Sequence, residues 1–200
     1  KKTRWEISPK HKFAKGIDET MSIDKCTHSF FSASKSYADL IVQEYGKNVG
    51  LKTACFRAGC ITGPNHSGAK LHGFLSYLVK KSLRDKKYNL IGYKGKQVRD
   101  NIHSNDLVSC FWYFFKKPKC GEIYNTGGGR YSNCSILEAL NIVEEISGVE
   151  IKKIYTKQNR VGDHIWYISS MKKFKKHYPK WKQNYSTLKI INELVSNFRN

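Results

Sequence analysis

Two hundred residues, 40% of them apolar and 13% aromatic, supply enough burial for a folded domain and exclude an intrinsically disordered chain. No apolar run approaches the roughly 20 residues of a membrane-spanning helix, so no membrane partner is expected. Lysine and arginine number 36 against 16 acidic residues, a formal charge of +20 that favours anionic ligands.

Taken in chain order, residues 1–30 read as irregular, with a Ser8-Pro9 turn and an acidic pair at Asp18-Glu19. The first of them, Lys1 to Phe13, are charged and aromatic, show no signal-peptide pattern and read as the middle of a chain, for which a cytoplasmic setting is expected. Apolar residues at Tyr37, Leu40, Ile41 and Tyr45 predict a helix over 34–45, stopped by Gly46. Thr53 to Phe56 reads as a short strand, closed by the turn signal Gly63-Pro64. Phe74, Leu75, Leu78, Val79 and Leu83 mark an amphipathic helix, Tyr88 to Gly92 a strand, and 93–96 a tight turn. A strand carrying Arg99 leads into a strongly apolar helix over 106–116. Glu122 to Asn125 is the next strand, and Gly127-Gly128-Gly129 a loop. Ser135 and Glu138 are spaced as the capping box of a helix over 135–146. Val149 to Tyr155 is strand-like, and 187–198 closes the chain as an amphipathic helix. Alternation of this kind defines an α/β architecture.

The basic residues are 29 lysines and only seven arginines. The lysine pairs at 80–81, 86–87, 172–173 and 175–176 are short and scattered, which fits solvated faces better than a nucleic-acid stripe. An aromatic single-strand recognition signature is absent as well, so no nucleic-acid partner is expected. Six cysteines, Cys26, Cys55, Cys60, Cys110, Cys120 and Cys134, have no metal-finger spacing, and reduced thiols with no metal site are expected.

Three segments carry chemistry. The glycines 127–129 invite a phosphate-loop reading, but no Gly-Lys-Ser/Thr follows, and Ser132 stands where the third glycine of a dinucleotide fingerprint belongs. A flexible strand-to-helix connection is the simpler reading. In Gly92-x-x-Gly-x-Gln-x-Arg99-Asp100-x-Ile-His103, the arginine follows a glycine turn. Steadied by an acid, it can present a fork to a diphosphate, or it can be half of a local Arg99–Asp100 ion pair. Arg160-Val161-Gly162-Asp163 offers a second phosphate contact with a carboxylate for a ribose hydroxyl, or an ordinary turn on Gly162.

Together with Ser34-Lys35 at a helix start, 56–64 (Phe-Arg-Ala-Gly-Cys-Ile-Thr-Gly-Pro) and Tyr124-Asn-Thr-Gly-Gly-Gly129, these segments resemble the extended short-chain dehydrogenase/reductases that modify nucleotide sugars. Residues 62–68 and 72–80 are most similar to the subgroup of 2-epimerases acting on CDP-linked deoxysugars, of cell-surface polysaccharide synthesis. The resemblance implies the C-terminal part of a Rossmann-like α/β fold, with the first four or five strand–helix units and the NAD pyrophosphate turn lying upstream. Residues 1–64 would then end the NAD-binding domain. Residues 65–200 would form mainly the nucleotide-sugar domain, with a segment near 98–126 returning to the first.

By the same resemblance, Ala58, Gly59 and Cys60 lie beside the nicotinamide of NAD, Arg99 and Arg160 clamp the substrate diphosphate, and Asp163 binds its ribose. Lys35 takes the place of a lysine that holds the nicotinamide ribose and lowers the pKa of a tyrosine four residues earlier. Here that slot holds Phe31, which has no ionisable proton. Another base, His28, His66 or a residue outside this chain, then has to act, or the protein binds without turnover. His103 and His164 read as structural partners near the arginines. The expected activity is NAD-dependent epimerisation of a nucleotide-diphosphate sugar, a CDP-sugar rather than a UDP-sugar, through a transient keto sugar. UDP-sugar 4-epimerases and dehydratases share the same clamp. The helix near Ser34 is expected to pair in a homo-oligomer of the full-length protein, and without the upstream strands apolar faces built to be covered lie open.

Overall fold

In the computed structural model, residues 1–23, 28–66, 68–69, 73–157 and 163–199 are described. Helices and strands alternate as the periodicity predicts. α1 (Phe30–Asn48) starts four residues earlier than its apolar spacing suggests, because the Ser29 hydroxyl accepts the Ser32 N–H at 3.1 Å and caps it. β1 (Ala54–Ala58), β2 (Cys60–Thr62), α2 (Phe74–Asp85) and β3 (Lys87–Ile91) follow. A 3-10 turn at Tyr93–Gly95 leads to β4 (Val98–His103) and α3 (Ser104–Lys116). Then come β5 (Glu122–Thr126), β6 (Asn133–Ser135), α4 (Ile136–Ser147), β7 (Lys152–Thr156), β8 (Trp166–Tyr167), α5 (Lys172–His177) and α6 (Thr187–Arg199). The capping box forms as its spacing requires: Ser135 Oγ accepts from Glu138 N, and Glu138 Oε2 accepts from Ser135 N, both at 3.0 Å.

β1 pairs with β5 in parallel, from Ala54 opposite Glu122 to Ala58 opposite Thr126. β4 is the hub of a second sheet. It takes β2 in parallel at 101–103, β6 antiparallel at 98–100 and β8 parallel at 98–99, so that Arg99 lies opposite Cys134 on one side and Tyr167 on the other. β3 and β7 form a third parallel pair.

Two apolar clusters hold these layers. In the first, Leu75, Leu78 and Val79 of α2 meet Leu140 and Val143 of α4 and Ile190, Ile191 and Leu194 of α6. Each such side chain contributes roughly 1.5–3 kcal/mol on burial. The second gathers Cys110, Tyr124, Phe174 and Trp181 beneath Phe56. Its anchor is α5, which the lysine-rich sequence 172–177 conceals. Phe174 alone turns inward, with its ring 5.3 Å from Tyr124 and 5.4 Å from Trp181, and the lysines face outward.

The apolar spacing of α1 is helical, but the stripe faces solvent. Tyr37, Leu40 and Tyr45 are exposed, and the residues α1 buries are Gln43 and Gly46. α3 likewise exposes Val108, Trp112 and Phe115 while burying Leu107 and Cys110. Among the described residues, no helix is long and apolar enough to cross a membrane.

Candidate active site

Lys35, on the first turns of α1, lines a cavity of about 330 Å³ together with His28, Asp39, Arg57, Asn125 and Tyr167. Asp39 stands one helical turn beyond Lys35 on the same face. Its carboxylate takes both Nε (2.8 Å) and Nη2 (2.9 Å) of Arg57 from β1, and Gln43 Nε2 at 2.7 Å. Those arginine hydrogen bonds hold the Asp39 carboxyl below its usual 3.8. Asp39 and Arg57 thus satisfy each other, and among the described residues Lys35 has no carboxylate partner; its ammonium lies 5.5 Å from the Phe31 ring centroid. Phe31 itself is 69% exposed and does not line the cavity. Of the two histidines considered as bases, His28 lines the cavity. His66 does not: its Nδ1 accepts from Gly68 N at 3.1 Å within its own loop. The Tyr167 phenol is pushed up to about 12, mainly by burial. Arg57, Asp39 and Tyr167 were not singled out from the sequence, although the four-residue spacing of Lys35 and Asp39 was a usable signal.

Ala58, Gly59 and Cys60 form the link from β1 to β2. Gly59 is packed against the buried carboxylate of Asp100: a Cβ there would lie 2.5 Å from Asp100 Oδ1. The other oxygen, Oδ2, accepts Gly129 N and Ser169 N at 3.0 Å each, and the Ser169 hydroxyl. Burial raises the Asp100 pKa. Burial also pushes the Cys60 thiol up to about 11. The expectation of a flexible connection at 127–129 is therefore overturned. A Cβ at Gly127 would overlap Asp100 and Ser169, and one at Gly128 would overlap the backbone of Ser132 and Asn101, so the run is a close-packed cradle around a buried acid.

Arg99 does not pair with Asp100. Successive residues of a strand point to opposite faces, so Asp100 goes inward to Ser169 while the Arg99 Nη2 binds Asp163 Oδ1. Arg99 Nη1 also donates to the Val98 carbonyl at 2.8 Å. Two of the three residues expected at the diphosphate and ribose are thus in contact; Arg160, the third, lies outside the described residues, as does Cys26. His164 lies near this pair, and burial together with Arg99 lowers its pKa. His103 does not belong there. It is buried and stacked on Tyr185 at 3.8 Å, with Nδ1 accepting from Asn105 N as the cap of α3. Cys55, Cys60, Cys110, Cys120 and Cys134 are free thiols. Among the described residues, no group of three or more His, Cys, Asp or Glu could hold a metal ion.

Parallel strands feeding helices define a Rossmann-like α/β protein. The model of the NAD dependent epimerase/dehydratase family matches residues 7–127, and the chain belongs to that family. Among curated proteins it is similar to CDP-paratose 2-epimerase of Salmonella typhi, 26% identical over 144 residues (68% of this chain and 42% of that protein). It is also similar to dTDP-D-glucose 4,6-dehydratase of Dictyostelium discoideum, 33% identical over 97 residues (48% of this chain and 21% of that protein). The chain thus spans less than half the length of these relatives. Among solved structures, dTDP-glucose 4,6-dehydratase of Bacillus anthracis in complex with NAD superposes with a TM-score of 0.76 at 25% identity, over 97% of this chain and 58% of that one. UDP-glucose 4-epimerase of Thermotoga maritima with UDP-glucose gives 0.74 at 22% identity, over 84% and 53%.

The residues present leave room for part of a nucleotide cofactor: among the described residues, the Lys35 ammonium has no carboxylate partner and opens on a cavity beside β1. The glycine-rich pyrophosphate turn of the cofactor is not among these 200 residues.

Proposed function

We propose that this chain is part of an NAD-dependent epimerase of a nucleotide-diphosphate sugar, of the CDP-paratose 2-epimerase kind, acting through transient oxidation to a keto sugar. One structural relationship carries the reading. Tyr167, which lines the Lys35 cavity, is the strand partner of Arg99, which holds Asp163. The cavity that holds Lys35 and the arginine expected to clamp the diphosphate are therefore joined across a single strand pairing. Bound NAD supplies a hydride acceptor that later returns the hydride. Lys35 orients the ribose hydroxyls at that end and supplies positive charge where a proton leaves. Arg99 meets the diphosphate with a planar fork, held in place by Asp163, which also faces the ribose. Arg160 joins Arg99 on the diphosphate, and Ala58, Gly59 and Cys60 form the wall beside the nicotinamide. His28 accepts the proton that the Phe31 slot cannot, since it alone of the two candidate histidines lines the Lys35 cavity.

The 1–64 segment completes the cofactor domain, and 65–200 the sugar-nucleotide domain, with β4 to β5 rejoining the first. The pairing of β1 with β5 and of β2 with β4 supports this division. The exposed apolar stripe of α1 supports pairing in a homo-oligomer of the full-length protein.

A second reading, a relative that binds NAD and a nucleotide sugar without turnover, is favoured by one observation: Phe31 has no hydroxyl and stands outside the cavity. Incubating the full-length protein with CDP- and UDP-linked sugars and following products by mass spectrometry and NMR separates the readings. Epimerised CDP-sugar is expected. Turnover of UDP-sugars alone moves the assignment to a 4-epimerase or dehydratase, and tight binding without product supports the non-catalytic relative.

A further inference from the structure

A larger concavity, of about 860 Å³, opens elsewhere, and neither Arg99, Asp163 nor any residue of the Lys35 cavity lines it. Its walls bring Lys2, Lys94, Lys96 and Lys157 together with the rings of Trp5 and Tyr155, and among the described residues no carboxylate lines it. Among the described residues, none of these four lysines is ion-paired; Lys96 Nζ donates to the Lys1 carbonyl at 3.1 Å and lies 6.0 Å from the Trp5 ring centroid. Four ammonium groups around one hollow repel one another, and an anion placed among them relieves that repulsion. Trp5 and Tyr155 are 46% and 60% exposed, so flat faces stand free beside the charge.

The cleft is built, not incidental. Residues 3–5 are tied down by Thr3 Oγ1 to Glu138 Oε1 (3.0 Å), Ser135 Oγ to the Thr3 carbonyl (2.8 Å) and Trp5 N to the Lys96 carbonyl (2.8 Å), which places Lys2 and Trp5 on one wall. The opposite wall is a turn in which four consecutive residues have positive φ: Gly92 (69°), Tyr93 (46°), Lys94 (56°) and Gly95 (71°). Tyr93 and Lys94 hold a conformation that L side chains rarely adopt, and such outliers persist where the surroundings over-determine them, often at binding sites. Here Gly95 N to the Gly92 carbonyl and Lys96 N to the Tyr93 carbonyl (3.1 Å each), with Gln97 Nε2 to the Ile91 carbonyl (3.0 Å), lock it.

We propose that this lysine- and aromatic-lined cleft is a second ligand site that binds a free nucleoside diphosphate, its phosphates among Lys2, Lys94, Lys96 and Lys157 and its base on Trp5 or Tyr155. Lysines act as point charges that follow a flexible polyphosphate without the fixed fork geometry of arginine. Indole and phenol rings stack on any base. The site does not rest on the proposed epimerase reading, since it uses none of those residues.

Calorimetric titration of the full-length protein at near-physiological salt, with ADP, pyrophosphate and adenosine as separate probes, tests it. ADP is expected to bind, pyrophosphate at least tenfold more weakly, and adenosine not measurably. Lys94→Glu combined with Lys157→Glu should abolish ADP binding. Trp5→Ala should weaken ADP about tenfold and leave pyrophosphate unchanged. In Arg99→Ala, which removes the diphosphate clamp as a source of signal, the binding that depends on these lysines and on Trp5 is expected to persist. Circular dichroism melts check folding, and the exposed single variant Lys157→Glu, expected to weaken ADP several-fold, serves if the double variant does not fold. The proposal is overturned if ADP fails to bind to Arg99→Ala, or if the binding that remains in Arg99→Ala survives the lysine substitutions. It is equally overturned if pyrophosphate binds as well as ADP, or if a single-stranded oligonucleotide binds more tightly with a steep salt dependence.

Discussion

Arg99 reaches past its sequence neighbour Asp100 and pairs with Asp163, 64 residues further along the chain. The contact joins β4 to the segment that runs into β8. It leaves the guanidinium pre-oriented, since a fork already held on one side loses less freedom when a second anion arrives.

Arg99→Ala is expected to raise the Kd for a nucleotide sugar about 10- to 100-fold, the value of roughly 1.5–3 kcal/mol for hydrogen bonds to a charged group. Arg99→Lys keeps the charge but not the fork and should weaken binding by about tenfold. Asp163→Asn should fall between the wild type and Arg99→Ala. Calorimetry with CDP as ligand reads all three, and a wild-type Kd in Arg99→Ala would remove Arg99 from the clamp.

The Asp100 cradle is expected to dominate stability. Asp100→Ala strands the buried Gly129 and Ser169 N–H groups, at about 1–3 kcal/mol each. Gly128→Ala forces a Cβ into the backbone of Ser132 and Asn101 and should cost more than about 3 kcal/mol. Urea unfolding midpoints measure both; a Gly128→Ala variant as stable as the wild type would show that the loop yields.

Because Arg57 holds the Asp39 carboxyl below 3.8, the folded protein binds that proton less readily than the unfolded chain does. The stabilising contribution of the pair is therefore complete above pH 3.8 and drains away as pH falls through the lowered folded value. Melting temperatures of wild type and Asp39→Asn followed from neutral pH to about 3 should converge toward the acid end. A constant gap would contradict the linkage.

Phe31 stands outside the Lys35 cavity, so a phenol introduced by Phe31→Tyr is expected to leave turnover within about threefold of the wild type, and a rise toward the 10²- to 10⁴-fold of a positioned proton acceptor would place the relay in that slot instead of at His28. Lys35→Met and His28→Asn should each lower turnover of the full-length enzyme by at least about tenfold, with nucleotide-sugar affinity unchanged. If His28→Asn turns over like the wild type, the proton is accepted elsewhere.

Burial raises the Cys110 and Cys134 thiols well above the ordinary range and Cys55 to about 11, whereas Cys120 is exposed. Among these thiols, a disulfide reagent at neutral pH should modify Cys120 first and the buried pair only on unfolding, since the thiolate is the nucleophile. Rapid labelling of Cys134 in the native protein would contradict that order.

Much of the framework was legible from local patterns. The α4 capping box, the α2 and α6 apolar stripes, and the turn at 93–96 are decided within a few residues of chain, so spacing alone reveals them. β6 and β8 are three and two residues long and exist only because β4 offers them an edge. α5 escapes notice because one phenylalanine, Phe174, does the packing that a whole stripe does elsewhere.

From residue order alone came the α/β class, with Lys35 near a helix start and Arg99 on a strand, because helix and strand periods and motif spacings are short-range properties. Which acid Arg99 takes, that glycines 127–129 enclose Asp100, and that the apolar stripe of α1 faces outward depended on segments distant in sequence coming together. Only the packed chain could settle those, since each is a choice among partners that local sequence presents equally.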